Sequence, residues 1–450
     1  MLLQEAIRTY HDMLNNRLAR VSQEHLDEQQ ARRGLSFGTR PLSTVLRPRF
    51  MTTEQYRFLQ HRVRLLMGAF DKAYRLAMID RPFRDQFGLL DWEEELIQHD
   101  PGFRIPSPVS RLDAFFITDD NTLLFTEYNA EVPAAAAYTD ELTQAFYGMP
   151  IMRKFARQFE LRPLPAAPST LHALMETYYD WPHRTEPPRI AILDWREVPT
   201  YSEFVLYEKF FHAHGLPCRI VDPREVEYRN GKLMAGDYHI TLIYKRVLID
   251  ELVTREGING PVVRAVRDNA VCMINPFRCK ILYKKASFAV LSDELNTQYF
   301  TAQEREVIDA HIPWTRRLEE RFSTYKGQPI DLIPFVQKHK DRLVLKPNDD
   351  YGGRGIVLGW EVNSADWEKS VQHALGLPYV VQERIILPTE PYPSFIDGRV
   401  QYIDRQLDTA PFVFYGEFVD GCLTRLSTEP LLNVTAGGGS TVPTFVIERR

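Results

Sequence analysis

Cysteine is scarce in this chain of 450 residues: there are four, Cys218, Cys272, Cys279 and Cys422. Only Cys272 and Cys279 stand near each other, and no histidine or cysteine sits at zinc-ligand spacing from them. A disulfide framework and a cysteine-based zinc site are thereby excluded, and free buried thiols in a reducing compartment are expected. Charge of one sign is lacking too. A formal net charge of −5 excludes a protein held to nucleic acid mainly by phosphate contacts. No apolar run approaches the roughly 20 residues of a membrane helix. The amino terminus, Met1-Leu2-Leu3-Gln4-Glu5, meets charge too early for a secretion signal. A cytoplasmic protein without membrane or nucleic-acid partners is the expectation; oligomeric state is not legible. No Walker-type G-x-x-x-x-G-K-[ST], internal repeat or low-complexity tract occurs. What the chain does have is apolar bulk, 44% hydrophobic and 12% aromatic, enough for two or three packed lobes.

The most informative stretch is Arg111 to Asn129, RLDAFFITDDNTLLFTEYN. Two runs rich in β-formers flank Asp119-Asp120-Asn121, which predicts a hairpin. With the turn centred on residue 120, Asp113 faces Glu127 and Arg111 faces Asn129. All four are odd-numbered and share one face, which becomes apolar toward the turn at Phe115, Ile117, Leu123 and Phe125. Facing carboxylates repel, so a positive group belongs between them. Arg111 is one candidate and a divalent cation another, because two carboxylates and an amide carbonyl are the hard oxygen ligands that magnesium takes. A surface hairpin with one ordinary ion pair accounts for the same residues.

Around it the chain reads as alternating helix and strand. Residues 1–35 are polar and helical. Residues 52–80 form a helix opened by a Thr52/Gln55 capping box, with Tyr56, Leu59, Val63, Leu66 and Phe70 on one stripe. The small residues of 130–140 leave room for a ligand or start a short helix, and the proline-rich segments 163–168 and 182–188 mark a boundary. Arg189 to Arg246 reads β-α-β-β, with strands at 190–193, 218–221 and 240–244. Residues 275–291 read as a turn and a helix that is basic on one side. Strands follow at 343–346 and 356–360, separated by Gly352-Gly353-Arg354-Gly355. A dinucleotide fingerprint would need a helix after the glycines, and the β-type run here excludes it. A glycine hairpin remains, able to close backbone N–H groups over phosphates or simply to make a tight turn. Tyr379 to Ile385 is an apolar strand ending in Gln382-Glu383. Further strands are expected at 407–414, 421–426 and 431–434, then a Gly437–Gly439 loop and a docked terminal strand at 443–447.

Together these motifs resemble the glutathionylspermidine synthase group of circularly permuted ATP-grasp proteins. The likeness rests on R-L-D and E-Y-N-A-E at 111–131, Y-K-K-A at 283–286, V-L-K-P and G-G-R-G at 344–355, V-V-Q-E at 380–383 and G-G-G…P-T-F-V at 437–446. It implies an α/β (α+β), ATP-grasp-like fold with circular permutation, since the carboxylate hairpin precedes the lysine and glycine elements. The implied division is a helical region over 1–100, a metal- and substrate-binding part over 101–187, a small α/β layer over 188–270 and ATP-binding lobes over 271–450. The resemblance implies Asp113, Glu127 and Asn129 as magnesium ligands and Arg111 as the residue that steadies the transferred phosphoryl group. It implies Lys285 and Lys346 at the nucleotide and Gly352, Gly353, Arg354 and Gly355 as a lid. Gln382 and Glu383 would read adenine, and Thr424 and Arg425 would border the nucleotide. An alanine-rich stretch at 133–137 replaces the polar one of the synthase, no amino-terminal amidase is expected, and the motifs do not map residues 1–100.

The implied activity is an ATP- and magnesium-dependent ligase joining a small-molecule or peptide carboxylate to an amine through an acyl phosphate. An ATP-grasp phosphotransferase and a non-catalytic ATP-binding partner protein are the alternatives.

Overall fold

The computed structural model describes residues 2–350, 352–429 and 439–450. At its centre Val109–Ile117 runs antiparallel to Thr122–Asn129, with Arg111 opposite Asn129 and Asp113 opposite Glu127. Beyond that pair the register slips: Ala114 faces Phe125 and Phe116 faces Leu123. The extra residue is Thr126, whose hydroxyl donates to the Asp113 carbonyl at 3.3 Å. This bulge corrects the expectation of one continuous odd-numbered face. Leu123 and Phe125 turn into the core with Leu112, Ala114 and Phe116, while Phe115 and Ile117 stand opposite Leu124 and Thr122. Bulges re-aim side chains in this way beside functional sites.

The helix Thr53–Ile79 supports the hairpin from below. Both halves of its Thr52/Gln55 capping box are formed, and Tyr56, Leu59, Val63, Leu66 and Phe70 are all buried in the hairpin's core. Each such side chain contributes about 2 kcal/mol on leaving water. On the hairpin's other edge lie strands from late in the chain, in the order Ala410–Phe414, Phe418–Ser427, Arg399–Leu407 and Thr389–Ile396. This pairing delivers Arg425 to the early hairpin. The terminal strand Thr444–Arg449 docks as expected, between Arg49–Thr52 and Phe159–Pro163. Its Phe445 and Ile447 share a core with the helices Leu2–Met13 and Asn16–Arg33.

Residues 190–274 build an open parallel sheet in the order Cys272–Ile274, Leu242–Lys245, Ile190–Leu193, Cys218–Val221. The strand expected over 240–244 is divided at Thr241, its first part joining an antiparallel meander. The chain leaves Ile190–Leu193 toward one neighbour and returns on the other side. The order therefore reverses between Ile190–Leu193 and Leu242–Lys245, and such reversals open a crevice at the carboxyl ends of the strands.

The lysine strand Leu343–Pro347 lies in an all-antiparallel sheet between Tyr379–Glu383 and Val357–Leu358. Trp367 and Val371 of the helix Ser364–Leu375 back it. The strand expected at 431–434 and most of the Gly437–Gly439 loop lie outside the described residues. All four cysteines are buried and unbridged. No helix among the described residues is long and apolar enough to cross a membrane.

Candidate functional site

The facing carboxylates are each met by cations from other parts of the chain. Asp113 is 7% exposed and accepts from Arg111 Nε at 2.9 Å, Asn129 Nδ2 at 2.9 Å and Arg425 Nη2 at 2.6 Å. Burial pushes its carboxyl up, but the two guanidiniums outweigh burial and hold it well below the ordinary carboxylate range. Glu127 Oε1 lies 3.0 Å from Lys285 Nζ. Arg111 also donates to the Ala134 carbonyl at 2.8 Å, which ties the alanine-rich stretch to the cluster. Arg425 turns its Nε to Asp408 Oδ2 at 2.6 Å, and burial raises the Asp408 carboxyl.

The basic segment departs from expectation. It is not one helix but two short ones, Cys279–Tyr283 and Ala286–Ser292, and Lys280, Lys284 and Lys285 are all buried. Lys280 Nζ reaches Asp349 Oδ2 at 2.6 Å, and Lys284 Nζ reaches Glu93 Oε2 at 2.7 Å and Asp349 as well. A buried charge is tolerated only when paired, and here the pairs serve position. Asn348 accepts the Lys285 and Ala286 backbone N–H groups, and Lys285 Nζ donates to the Asp350 carbonyl at 2.6 Å. The chain entering the glycine loop is thus fixed to the segment that carries Lys285.

Two cavities meet at the carboxylates. The smaller, about 200 Å³, is lined by Lys346, Gly353, Gln382, Glu383 and an apolar wall of Phe115, Val344, Ile356, Leu358 and Trp360. The larger, about 490 Å³, includes Arg111, Asn129, Ala134, Ala135, Asp194, Trp195, Arg246 and Tyr283. Asp113, Glu127, Gly352 and Arg425 line both. Lys346 Nζ donates to Gln382 Oε1 at 2.7 Å. Burial and the neighbouring Lys285 lower its ammonium to about 8, against the raising effect of Glu127 and Asp113.

Most residues singled out in the sequence are brought together here: Arg111, Asp113, Glu127, Asn129, Lys285, Lys346, Gly352, Gly353, Gln382, Glu383 and Arg425. Three are not. Thr424 points to the opposite face of its strand, fully buried, with its hydroxyl 3.0 Å from that of Thr444. Arg354 and Gly355 are exposed and line neither cavity. The Glu383 backbone N–H is committed to the Trp314 carbonyl at 2.8 Å, and its carboxylate accepts from the Tyr325 hydroxyl at 2.6 Å. Sequence reasoning missed Asp408, Lys280, Lys284, Asp349, Asp194 and Arg246. Asp194 and Arg246 had a readable signal, because each directly follows a strand of the parallel layer.

No group of three or more His, Cys, Asp or Glu arranged for a metal occurs among the described residues. The candidate set instead combines two carboxylates with an amide, Asn129, all lining one cavity. That donor chemistry fits a hard cation such as magnesium.

No family model matches the chain. A protein of Frankia alni provisionally named glutamate–cysteine ligase 2-3 is 25% identical, over 97% of this chain and 52% of its own length. A similarly named glutamate–cysteine ligase 2-2 of Frankia casuarinae is 25% identical over 71% of this chain and 36% of its own. The chain thus spans about half the length, or less, of the curated relatives it matches. Among solved structures, a glutathione synthetase-like effector from Globodera pallida in its apo form superposes with a TM-score of 0.58 at 12% identity, covering 95% of this chain and 97% of that one. The likeness in fold extends over nearly the whole molecule, and the mixed α/β, ATP-grasp-like architecture expected from the sequence is the architecture found.

Proposed function

We propose that this protein is an ATP-dependent carboxylate–amine ligase of the circularly permuted, glutathionylspermidine synthase-like kind. The observation that carries the reading is the shared wall. Asp113, Glu127 and Arg425 stand between a narrow, apolar-walled cavity bearing Lys346 and a wider polar one. A nucleotide in the first would present its phosphates to a substrate in the second. The ligase names of the Frankia relatives and the shared fold support the same reading.

In this scheme the base lies between Phe115, Ile356 and Trp360, and Lys346 and Lys285 neutralise phosphate charge. Asp113, Glu127 and Asn129 would hold magnesium, whose Lewis acidity would help to stabilise charge on the phosphates. A substrate carboxylate oxygen attacks that phosphorus and the bond to ADP breaks, giving an acyl phosphate. The amine then attacks the acyl carbon, phosphate leaves, and the amine's proton passes to solvent or a nearby base. Arg111 steadies the phosphoryl oxygens as they pass from ADP to the substrate. Removing one such electrostatic partner costs on the order of 10²-fold in rate. The test is ADP release by Asp113→Asn and Glu127→Gln over a panel of carboxylates and amines; near-normal release in either variant overturns the scheme. Hydroxamate formation when hydroxylamine replaces the amine separates a ligase from a phosphotransferase.

A further inference from the structure

The end of the larger cavity away from the carboxylate pair lies at the carboxyl ends of Ile190–Leu193 and Leu242–Lys245, where the order of the parallel sheet reverses. Two side chains of opposite charge stand there, one at the end of each strand. Asp194 is 6% exposed and accepts the Trp195 N–H at 2.8 Å; among the described residues it makes no ion pair. Arg246, also 6% exposed, gives Nη2 to Glu203 at 2.9 Å. Its Nε and Nη1 are buried with no hydrogen-bond partner. The Arg246 N–H donates to the Leu193 carbonyl at 3.0 Å, which locks the two strand ends side by side. Both residues line the cavity.

A buried carboxylate in no ion pair, with only the nearby charges of Arg246 and Lys245 to offset its burial, and a buried guanidinium with two idle donors are each costly, and such exceptions call for an explanation. A plain amine would satisfy Asp194 and leave the donors idle. A simple carboxylate would do the reverse. We propose that this end of the cavity binds the zwitterionic head of an α-amino acid, its ammonium against Asp194 and its carboxylate against the free edge of the Arg246 guanidinium. The remainder of the molecule then extends toward Asp113 and Glu127 at the other end of the same cavity. Naming this cavity a substrate pocket rests on the ligase reading; the complementarity of charge does not.

The test is calorimetric titration of the full chain with each common α-amino acid, with and without ATP and magnesium. The tightest binder is then compared with its methyl ester and its decarboxylated amine. The expected result is binding of at least one amino acid, weakened roughly tenfold or more by loss of either charge. Asp194→Asn, near-isosteric and able to keep the Trp195 contact, should weaken it by a similar factor while leaving ATP binding unchanged. Arg246 is not the first choice for substitution, because Glu203 would be left buried and unpaired. Binding of no amino acid, equal binding of the decarboxylated amine, or unchanged binding by Asp194→Asn overturns the proposal. Amino-acid binding that needs both charges but is accompanied by no ATP turnover would sustain this site and count against the ligase reading. Turnover without amino-acid binding would do the opposite.

Discussion

Arg425 Nη2 lies 2.6 Å from Asp113 Oδ2, a contact that spans 312 residues of sequence and joins the late strand Phe418–Ser427 to the early hairpin. Through Nε the same guanidinium holds Asp408, so one side chain serves two buried carboxylates. Arg425→Ala leaves Asp408 without this cation and Asp113 with only Arg111. Breaking a buried pair from one side costs several kcal/mol. Because the Arg425 side chain keeps 21% exposure, a loss of about 3 kcal/mol in urea unfolding is expected. Arg425→Lys should recover only part of it, since an ammonium lacks the fork that spans both acids. Equal stability of Arg425→Ala and wild type would show that the contact is incidental.

Lys346 gives the site a pH limit. Its ammonium is lowered to about 8, so the free protein loses this cation as the pH rises through that value. Nucleotide affinity should be flat below pH 7 and fall above 8, by up to roughly tenfold per pH unit if only the charged form binds phosphate. Asp113, Glu127 and Lys285 also face this lysine, but burial is the largest of the effects that lower it. Lys346→Arg should flatten the curve, because a guanidinium stays charged throughout. The check is ATP affinity measured from pH 6.5 to 9.5 in both proteins. A parallel decline in the arginine variant would assign the titration elsewhere.

The pairing of Asp113 with Glu127 was legible because strand periodicity and a turn cluster fix a register. The bulge at Thr126 was not, since nothing in a period-two pattern announces one extra residue. The pairing of Lys280 and Lys284 was not legible for a related reason: nothing in a basic stripe announces that Glu93 and Asp349, distant in sequence, fold against it. The hairpin Thr389–Ile396 with Arg399–Leu407 went unread, although Asp397-Gly398, both at positive φ, is a strong hairpin signal. Asp194 and Arg246 acquire meaning only from strand order, and strand order depends on which neighbours the strands choose. The Asp113–Arg425 contact is of the same kind, a product of sheet topology rather than of local pattern.

Gly355 tests whether the glycine loop acts as a lid. Its φ is +67°, and an added Cβ would come within 3.0 Å of both Pro347 Cγ and the Tyr379 hydroxyl. Gly355 lines neither cavity, while its neighbours Gly352 and Gly353 do. Gly355→Ala therefore disturbs the base of the loop without touching a ligand. Left-handed backbone costs a residue with a Cβ about 1–2 kcal/mol. If the loop can move to escape that strain, the cost appears in nucleotide closure, and the KM for ATP should rise roughly fivefold with little change in melting temperature. A lower melting temperature with an unchanged KM would mean that the loop is a fixed structural turn.

Asp194 makes a prediction about stability that needs no substrate. Burial raises its carboxyl to about 7, only partly opposed by the Trp195 N–H and Arg246, whereas in the unfolded chain it titrates near 3.9. The native state therefore holds this proton to higher pH than the unfolded state does. Stability falls as pH rises from about 4 to 7, and above 7 the whole cost of a buried carboxylate is present. Asp194→Asn removes that cost, so the variant should be more stable than wild type at pH 8, by a few kcal/mol at most, and nearly equal to it at pH 4. Urea unfolding at the two pH values measures the difference. The other buried acid raised to about 7, Asp140, is common to both proteins and cancels. A substitution that stabilises the fold while weakening amino-acid binding is the mark of a charge kept for a ligand. A variant destabilised at pH 8 would instead mean that the negative charge of Asp194 serves the fold.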